Sequence, residues 1–230
     1  MARIPLLQRF AKWHIWLGWL VGVPIVMWTA TGLFMVSKPI EEVRGNHLRI
    51  DMPDQPLILP GSDLATPQAE LEEMRAVMQN GRAVAILTSI DGKVTRVDMG
   101  SGEAIPQLDG AQARALVEKR IVGGEKVRSV RFFDAAEVPI DFRRPIPVWQ
   151  VMLEGGTYIY VGRDTGEIEA VRTRWWRWFD IMWGLHIMDL SDREDTSHPI
   201  LIVFAALSLI GALLGCVIMF RKRKRRSAIS

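Results

Sequence analysis

His14 has the clearest potential for chemistry, because it stands near the start of a stretch, Trp13 to Ser37, that carries no formal charge. The residues one and two helical turns beyond it are Gly18 and Gly22. On a helix these three positions lie on nearly one stripe, so a metal-binding imidazole would stand above a groove without side chains. A flat metal macrocycle requires such an arrangement.

Two uncharged segments, residues 13–37 and 199–220, are long enough to cross a membrane. The first would be about 37 Å long as a helix. Both are too long to be buried helices of a small soluble core, so they predict a membrane protein with two spans. A cleavable signal peptide is the alternative for the first segment, but its apolar region is long for one and no A-x-A site follows it.

The charge distribution predicts the orientation of these spans. The formal net charge is +3, but the terminal segments 1–12 and 221–230 hold nine basic residues and no acidic ones. Removing these nine from the 29 basic residues leaves 20 against 26 acidic residues, so the remainder carries −6. Basic flanks stay in the cytoplasm, so both termini should be cytoplasmic and the segment from about 38 to 190 exported. The basic tail after the second span is then a topology signal touching anionic lipid, not a nucleic-acid site.

The exported segment shows strand, turn and helix signals. Thr66 and Pro67 predict the start of a helix that runs to about Asn80, and Asp109 predicts a second helix to about Ile121. Alternating apolar residues and glycine turns predict several strands, and 128–147 should be a strand followed by an extended link. The predicted strands are 83–90, 93–99, 148–153 and 157–161, with turns at Asp91-Gly92, Ser101-Gly102-Glu103, Gly155-Gly156 and Thr165-Gly166-Glu167.

A repeat within this segment predicts two related units. VDMGSGEAI from Val97 aligns with VGRDTGEIE from Val161, 64 residues later. We expect one helix-plus-sheet unit with its lead-in at 38–107 and another at 108–173. A chance match of short strand-turn patterns is the alternative. The predicted fold class is therefore an α+β membrane protein.

A tryptophan-rich segment, 174–190, follows the repeat and reads as an amphipathic helix lying in the membrane interface, before an acidic loop at 191–198. Phe179, Trp183 and His186 would share one face of this helix. Asp189, nearly one turn on, could orient the His186 imidazole. An aromatic belt with an incidental histidine is the alternative.

These motifs resemble a known family. WHIWLGWL from Trp13 with TATGLF from Thr29, the strand-turn pattern WQVMLEGGTYIYVGRDTGEIEAV from Trp149, and GLHIMD from Gly184 look like those of PepSY-domain proteins with PepSY-associated transmembrane helices. The resemblance covers most of the chain, in a two-span version of a family whose longer members have four. It implies a bacterial inner-membrane protein with haem b that reduces ferric iron or ferric siderophores. Soluble PepSY domains elsewhere act instead as binding or inhibitory modules.

Haem in this chain would need histidine ligands, or less favourably methionine, because the single cysteine, Cys216, lies within the second span. The resemblance carries over to His14 and His186. His198, at the start of the second span, is a candidate by position alone, with a helix-start residue as its alternative. We assign no role to His47, which lies in a polar loop.

Geometry limits how these histidines could pair. His14 and His198 should lie at opposite membrane faces, roughly 30 Å apart, whereas two axial nitrogens on one iron are only about 4 Å apart. A symmetric homodimer resolves this, with two His14 side chains gripping an inner haem and His186 or His198 pairing outside. The GxxxG motifs Gly18–Gly22 and Gly211–Gly215 favour close helix contacts.

The leading hypothesis is therefore a haem b protein that passes electrons across the inner membrane to ferric iron or a ferric siderophore. Acidic residues near the outer end could attract ferric iron, although an ordinary solvated loop is the simpler interpretation: Glu41, Glu42, Asp189, Asp192, Glu194 and Asp195. No dinucleotide fingerprint is present, so a nicotinamide site on this chain is not expected, and the electron donor is left open between a quinol and a flavoprotein. The rival hypotheses are a membrane-tethered, non-redox module that binds an exported peptide or protease, and an accessory subunit of another membrane enzyme.

Overall fold

The computed structural model describes residues 6–51, 57 and 70–227, and their contacts divide into two compact units. The first unit comprises Met1–Pro39 and Arg177–Ser230, and the second comprises Ile40–Trp176. The α-helices are α1 (Leu6–Val36), α2 (Ile40–Val43), α3 (Gly110–Arg120), α4 (Arg174–Ile187) and α5 (Pro199–Ser227).

Helices α1 and α5 form the apolar part of the first unit. Gln8–Val36 and Pro199–Phe220 are long and apolar enough to cross a membrane, as expected for a two-span protein. Helix α1 ends just before Lys38-Pro39, because the residue before a proline disfavours the α conformation. Pro199 occupies the first position of α5, where its missing N–H leaves no hydrogen bond unmade.

The second unit contains a first antiparallel sheet of four strands in sequential order: β1 (Leu71–Gln79), β2 (Arg82–Ser89), β3 (Val94–Asp98) and β4 (Ala104–Ile105). Strands β2 and β3 agree with the predicted strands to within one residue at each end. Gly92, with φ +80°, and Gly102, with φ +74°, take the left-handed conformation at the two predicted turns.

The predicted helix from Thr66 to Asn80 is wrong over 71–79, which is strand β1, whereas its first residues lie outside the described part. The run is rich in helix-forming residues, but Asn80 and Gly81 both have positive φ, 51° and 77°. This is the backbone of a two-residue hairpin turn, and it folds β1 back on the buried strand β2. Pairing with a buried neighbour outweighs an intrinsic preference of at most a few tenths of a kcal/mol per residue.

A second antiparallel sheet has the same sequential order: β5 (Val127–Phe133), β6 (Val148–Leu153), β7 (Tyr158–Gly162) and β8 (Ile168–Arg172). Strand β7 starts and ends 64 residues after β3, which is the displacement of the sequence repeat. The predicted strand followed by a link over 128–147 corresponds to β5 and the segment after it.

Helix α3 packs on the second sheet. Its predicted cap is confirmed: the Asp109 side chain accepts a bond from the Gln112 N–H at 2.8 Å, and the Gln112 side chain accepts one from the Asp109 N–H. The fully buried core contains Ala113 and Val117 of the helix and, from the sheet, Val151, Ile159 and Val161. This layer of helix on sheet buries one of the apolar cores that stabilise the second unit.

Candidate functional site

His14 lies on the face of α1 that packs against α5. Its Nδ1 atom is 2.9 Å from the carbonyl oxygen of Gly211. Because a carbonyl only accepts, the Nδ1–H of His14 donates this bond. The neutral imidazole therefore carries its lone pair on Nε2, the atom that remains to bind a metal or accept a proton.

The imidazole of His14 packs directly against the backbone of Gly215, and we call this contact the seat of the ring. A Cβ atom added at Gly215 would lie 2.9 Å from Cε1 and 3.4 Å from Nε2 of His14. Only glycine lets the backbone of α5 approach the ring so closely. Next to it, Gly211 meets Leu17, which is buried between the helices. The Gly211–Gly215 motif therefore makes its close contact with α1 of the same chain.

Gly18 and Gly22 lie on another side of α1, where an added Cβ atom at either position would meet nothing within 4 Å. They line an apolar groove of about 640 Å³ together with Ile15, Trp19 and Val26. The glycines thus leave a free groove along α1, beside the helix face that carries His14.

His186 lies near the opposite end of α1. Its Nδ1 atom is 2.9 Å from Oγ1 of Thr31, and that hydroxyl donates its own proton to the carbonyl oxygen of Met27 at 2.8 Å. The hydroxyl therefore accepts from the Nδ1–H of His186, which leaves the lone pair on Nε2. A second bond fixes the backbone here, because Trp28 Nε1 donates to the His186 carbonyl oxygen at 2.8 Å.

Thr31, rather than the predicted Asp189, is the partner of the His186 imidazole. The Asp189 carboxylate accepts from the Ser191 hydroxyl at 2.9 Å and from backbone N–H groups of the loop that follows, at 192, 194 and 195. These bonds, the Ser191 hydroxyl first among them, hold the pKa of Asp189 well below its usual value. Asp189 therefore organises the loop and not the histidine, because a carboxylate turned toward several N–H groups has no free oxygen for the ring.

The acidic loop is also fastened to α4. Arg193 forms an ion pair with the buried Asp180 at 2.6 Å, and its carbonyl oxygen accepts from Trp183 Nε1 at 3.1 Å. Gly184 permits this approach, since an added Cβ atom would lie 2.7 Å from Cγ of Arg193. Over the described ranges, no three His, Cys, Asp or Glu side chains come together as a metal site.

His198 precedes α5, and its carbonyl oxygen accepts from the Ile202 N–H at 3.2 Å. Its Nδ1 atom is buried and has no hydrogen-bond partner in the part of the chain that the structure describes. His47 lies exposed in a short 3₁₀ turn, Asn46–Leu48.

The three candidate histidines lie at two heights along helices α1 and α5, with His14 at one height, the inner level, and His186 and His198 at the other, the outer level. Thr31 is 17 residues after His14 on α1, so the His14 and His186 rings are roughly 25 Å apart along the helix. His198 precedes Gly211 by 13 residues, which puts it roughly 20 Å from His14 toward the same end as His186. Within one chain, therefore, His14 shares no metal ion with either of the other two.

Three residues that shape the candidate site were missed at the sequence level as partners of the histidines: Thr31, Gly211 and Gly215. Gly211 and Gly215 form a GxxxG motif, which predicts close helix packing but not which residue of the other helix packs against it. The third, Thr31, belongs to TATGLF. A threonine within an apolar span is typical of a hydroxyl that hydrogen-bonds to the backbone of its own helix.

A family model described as the PepSY-associated TM region matches residues 11–229. This match covers both apolar helices and everything between them. No curated protein and no solved structure matches the chain.

Proposed function

The chain belongs to the PepSY-associated TM region family, and on that premise we propose that it is a bacterial inner-membrane haem b protein. In this proposal it carries electrons across the bilayer and reduces ferric iron or a ferric siderophore on the periplasmic side. The ligands are His14 at the inner level and His186 at the outer one, with His198 as the further outer candidate.

The observation that carries the proposal is the shared arrangement of His14 and His186. Each imidazole uses its Nδ1–H on a group of a neighbouring helix, the carbonyl oxygen of Gly211 or the hydroxyl of Thr31. Histidines that bind metals usually donate their other ring N–H in this way, which fixes the tautomer and raises the basicity of the ligand.

The separation of the two levels matches electron transfer across a membrane. Roughly 25 Å along α1 separates the rings, close to the thickness of the hydrocarbon core. Because each chain brings one histidine to the inner level, we propose a homodimer in which the two His14 side chains serve one haem. The groove at Gly18 and Gly22 gives an apolar surface on α1 for the flat group, although His14 does not line it.

When bound, haem supplies the one-electron chemistry, and the protein sets its potential through ligands and burial. The chain's own residues hold the two imidazoles in place, through the carbonyl oxygen of Gly211 and the hydroxyl of Thr31.

The proposed orientation rests on charge. The terminal segments carry nine basic residues and no acidic ones, so we place both termini in the cytoplasm and the second unit in the periplasm. The electron donor would then be a quinol in the bilayer or a flavoprotein at the cytoplasmic face.

Electron transfer across a closed bilayer tests this proposal. The full-length protein is incorporated into liposomes that contain trapped dithionite, and reduction of external ferric nitrilotriacetate is followed with ferrozine. We expect reduction well above that of empty liposomes, its near-complete loss with His14→Ala, and no change with His47→Ala. Equal rates for His14→Ala and the unchanged protein would overturn the proposal and favour the non-redox binding module.

A further inference from the structure

A cleft of about 870 Å³ lies within the second unit, between β1 and β3 of the first sheet and α3 with the turn before β8 of the second. This volume falls in the range of sites for small molecules. The charged side chains that line the cleft are mainly basic: Arg49, Arg96, Lys119 and Arg120, against Asp51 and Glu167.

Arg96 forms the rigid part of this lining. Its side chain is buried, and its two terminal nitrogens donate to Gln79 Oε1 at 3.2 Å and to the carbonyl oxygen of Pro106 at 2.5 Å. Gln79 is itself fixed by a bond to the Thr165 carbonyl oxygen at 2.9 Å. Gly166 lets the turn close over the guanidinium, because an added Cβ atom would lie 2.4 Å from Nη1.

Among the described residues Arg96 forms no ion pair, and Asp164 attracts its charge without contacting it. The acidic residues nearby are engaged elsewhere, since Glu167 pairs with Arg75 and Asp164 pairs with Arg163. The Nε atom of Arg96 is buried without a hydrogen-bond partner in the described part of the chain, and burial lowers the pKa of this guanidinium. A buried cation without a contacting counter-charge is costly, so a group that brings negative charge into contact with it is favoured here.

The repeat gives an internal comparison, because Arg96 on β3 corresponds to Tyr160 on β7, 64 residues later. Both are buried polar side chains. The Tyr160 hydroxyl donates to Asp141 at 2.6 Å and accepts from Gln150 Nε2 at 2.7 Å. Residues of the second unit thus satisfy the hydrogen bonds of this buried hydroxyl. The first sheet has at the equivalent position a positive charge that lines a cleft and has no ion-pair partner among the described residues.

We propose that this cleft binds a small oxyanion that carries at least two acidic groups, either carboxylates or phosphates. Arg96 is the fixed cation of the site, and the half-buried Arg120 with the exposed Lys119 and Arg49 complete the positive lining. The guanidinium of Arg120 suits both kinds of oxyanion, and Arg96, whose terminal nitrogens already donate to Gln79 and Pro106, adds a positive charge that is held in place. The proposal is independent of haem and of any redox activity.

Calorimetric titration of the full-length protein in mild detergent at low ionic strength tests the site, with citrate and pyrophosphate as probes. We expect at least one probe to bind, and Arg120→Gln combined with Lys119→Gln to weaken it about tenfold or more. Arg114→Gln is the matched control, because Arg114 lies on the same helix but pairs with Glu118 and does not line the cleft. Tighter binding of citrate would identify a carboxylate ligand, and tighter binding of pyrophosphate a phosphate ligand.

A third variant, Arg96→Met, should abolish binding, and circular dichroism establishes whether it folds. Should it unfold, the double variant on α3 still decides the outcome. The proposal is overturned if neither probe binds at millimolar concentration, or if the double variant binds as tightly as the Arg114→Gln control.

Discussion

The imidazole of His14 lies against the bare backbone of Gly215, so closely that a single methyl group would stand 2.9 Å from its Cε1 atom. The Nδ1 hydrogen bond to Gly211 locks the ring in this seat. One helix thus determines both the tautomer and the position of a histidine that belongs to the other. The proposed inner ligand depends on this contact between α1 and α5.

Gly215→Ala should therefore displace the His14 ring, whereas Gly211→Ala should not. The added methyl at Gly211 would lie 3.9 Å from Leu17 Cβ, an ordinary contact. We expect Gly215→Ala to cost roughly 1–3 kcal/mol of stability through overpacking and to remove the haem of the inner level. Thermal denaturation in detergent and haem content measure the two effects, and equal behaviour of the two alanine variants would contradict this account of the seat.

Thr31→Val should weaken the binding of haem at His186, because it leaves the Nδ1–H of His186 without its acceptor. A buried donor without a partner costs about 1–3 kcal/mol, and loss of a partner behind a metal ligand typically lowers metal affinity about 10–100-fold. Thr31→Ser keeps the hydroxyl and should behave as the unchanged protein. Haem affinity by spectroscopic titration separates the two, and a fully competent valine variant would remove Thr31 from the account.

Asp109→Ala should destabilise the second unit by about 1 kcal/mol, because it removes the side-chain oxygen that accepts from the Gln112 N–H at the start of α3. Asp109→Asn keeps a capping oxygen and should lose much less. Chemical denaturation followed by circular dichroism gives the free energies. The change should leave haem content untouched, since Asp109 lies in the second unit.

Asp189 should stabilise the acidic loop down to an unusually low pH. Its pKa is depressed in the folded state, so its contribution is fully present above the ordinary carboxyl value of about 4 and is lost only as the pH falls toward the folded value. The difference in thermal midpoint between the unchanged protein and Asp189→Asn should thus stay constant from pH 7 to about 5 and shrink below about 4. A difference that shrinks already between pH 7 and 5 would contradict this, and Asp192→Asn serves as the exposed control.

Local signals predicted much of the fold because they act within a few residues. Asp109 carries its own cap partner at Gln112, and the turn glycines at 92, 102 and 166 are recognisable from their immediate neighbours. The repeat at Val97 and Val161 likewise predicted two strand patterns at a fixed displacement. Strand β1 was mistaken for a helix because its residues favour helix, and the Asn80-Gly81 hairpin turn that contradicts them was overlooked.

The candidate site was predicted less completely because its contacts join distant parts of the chain. His14 and Gly211 are 197 residues apart, and Thr31 and His186 are 155 apart. No periodicity in the sequence pairs such residues. Proximity in sequence favoured Asp189 as the partner of His186, whereas the fold places Thr31 there.

Haem content of the full-length protein tests the central claim most directly. The protein is purified in mild detergent from haem-replete cells, and the reduced-minus-oxidised spectrum and the haem-to-protein ratio are recorded. We predict about one haem per chain, loss of about half with His14→Ala or His186→Ala, loss of all with both, and no change with His47→Ala. A folded but colourless protein, or full haem content in the double variant, would contradict the account.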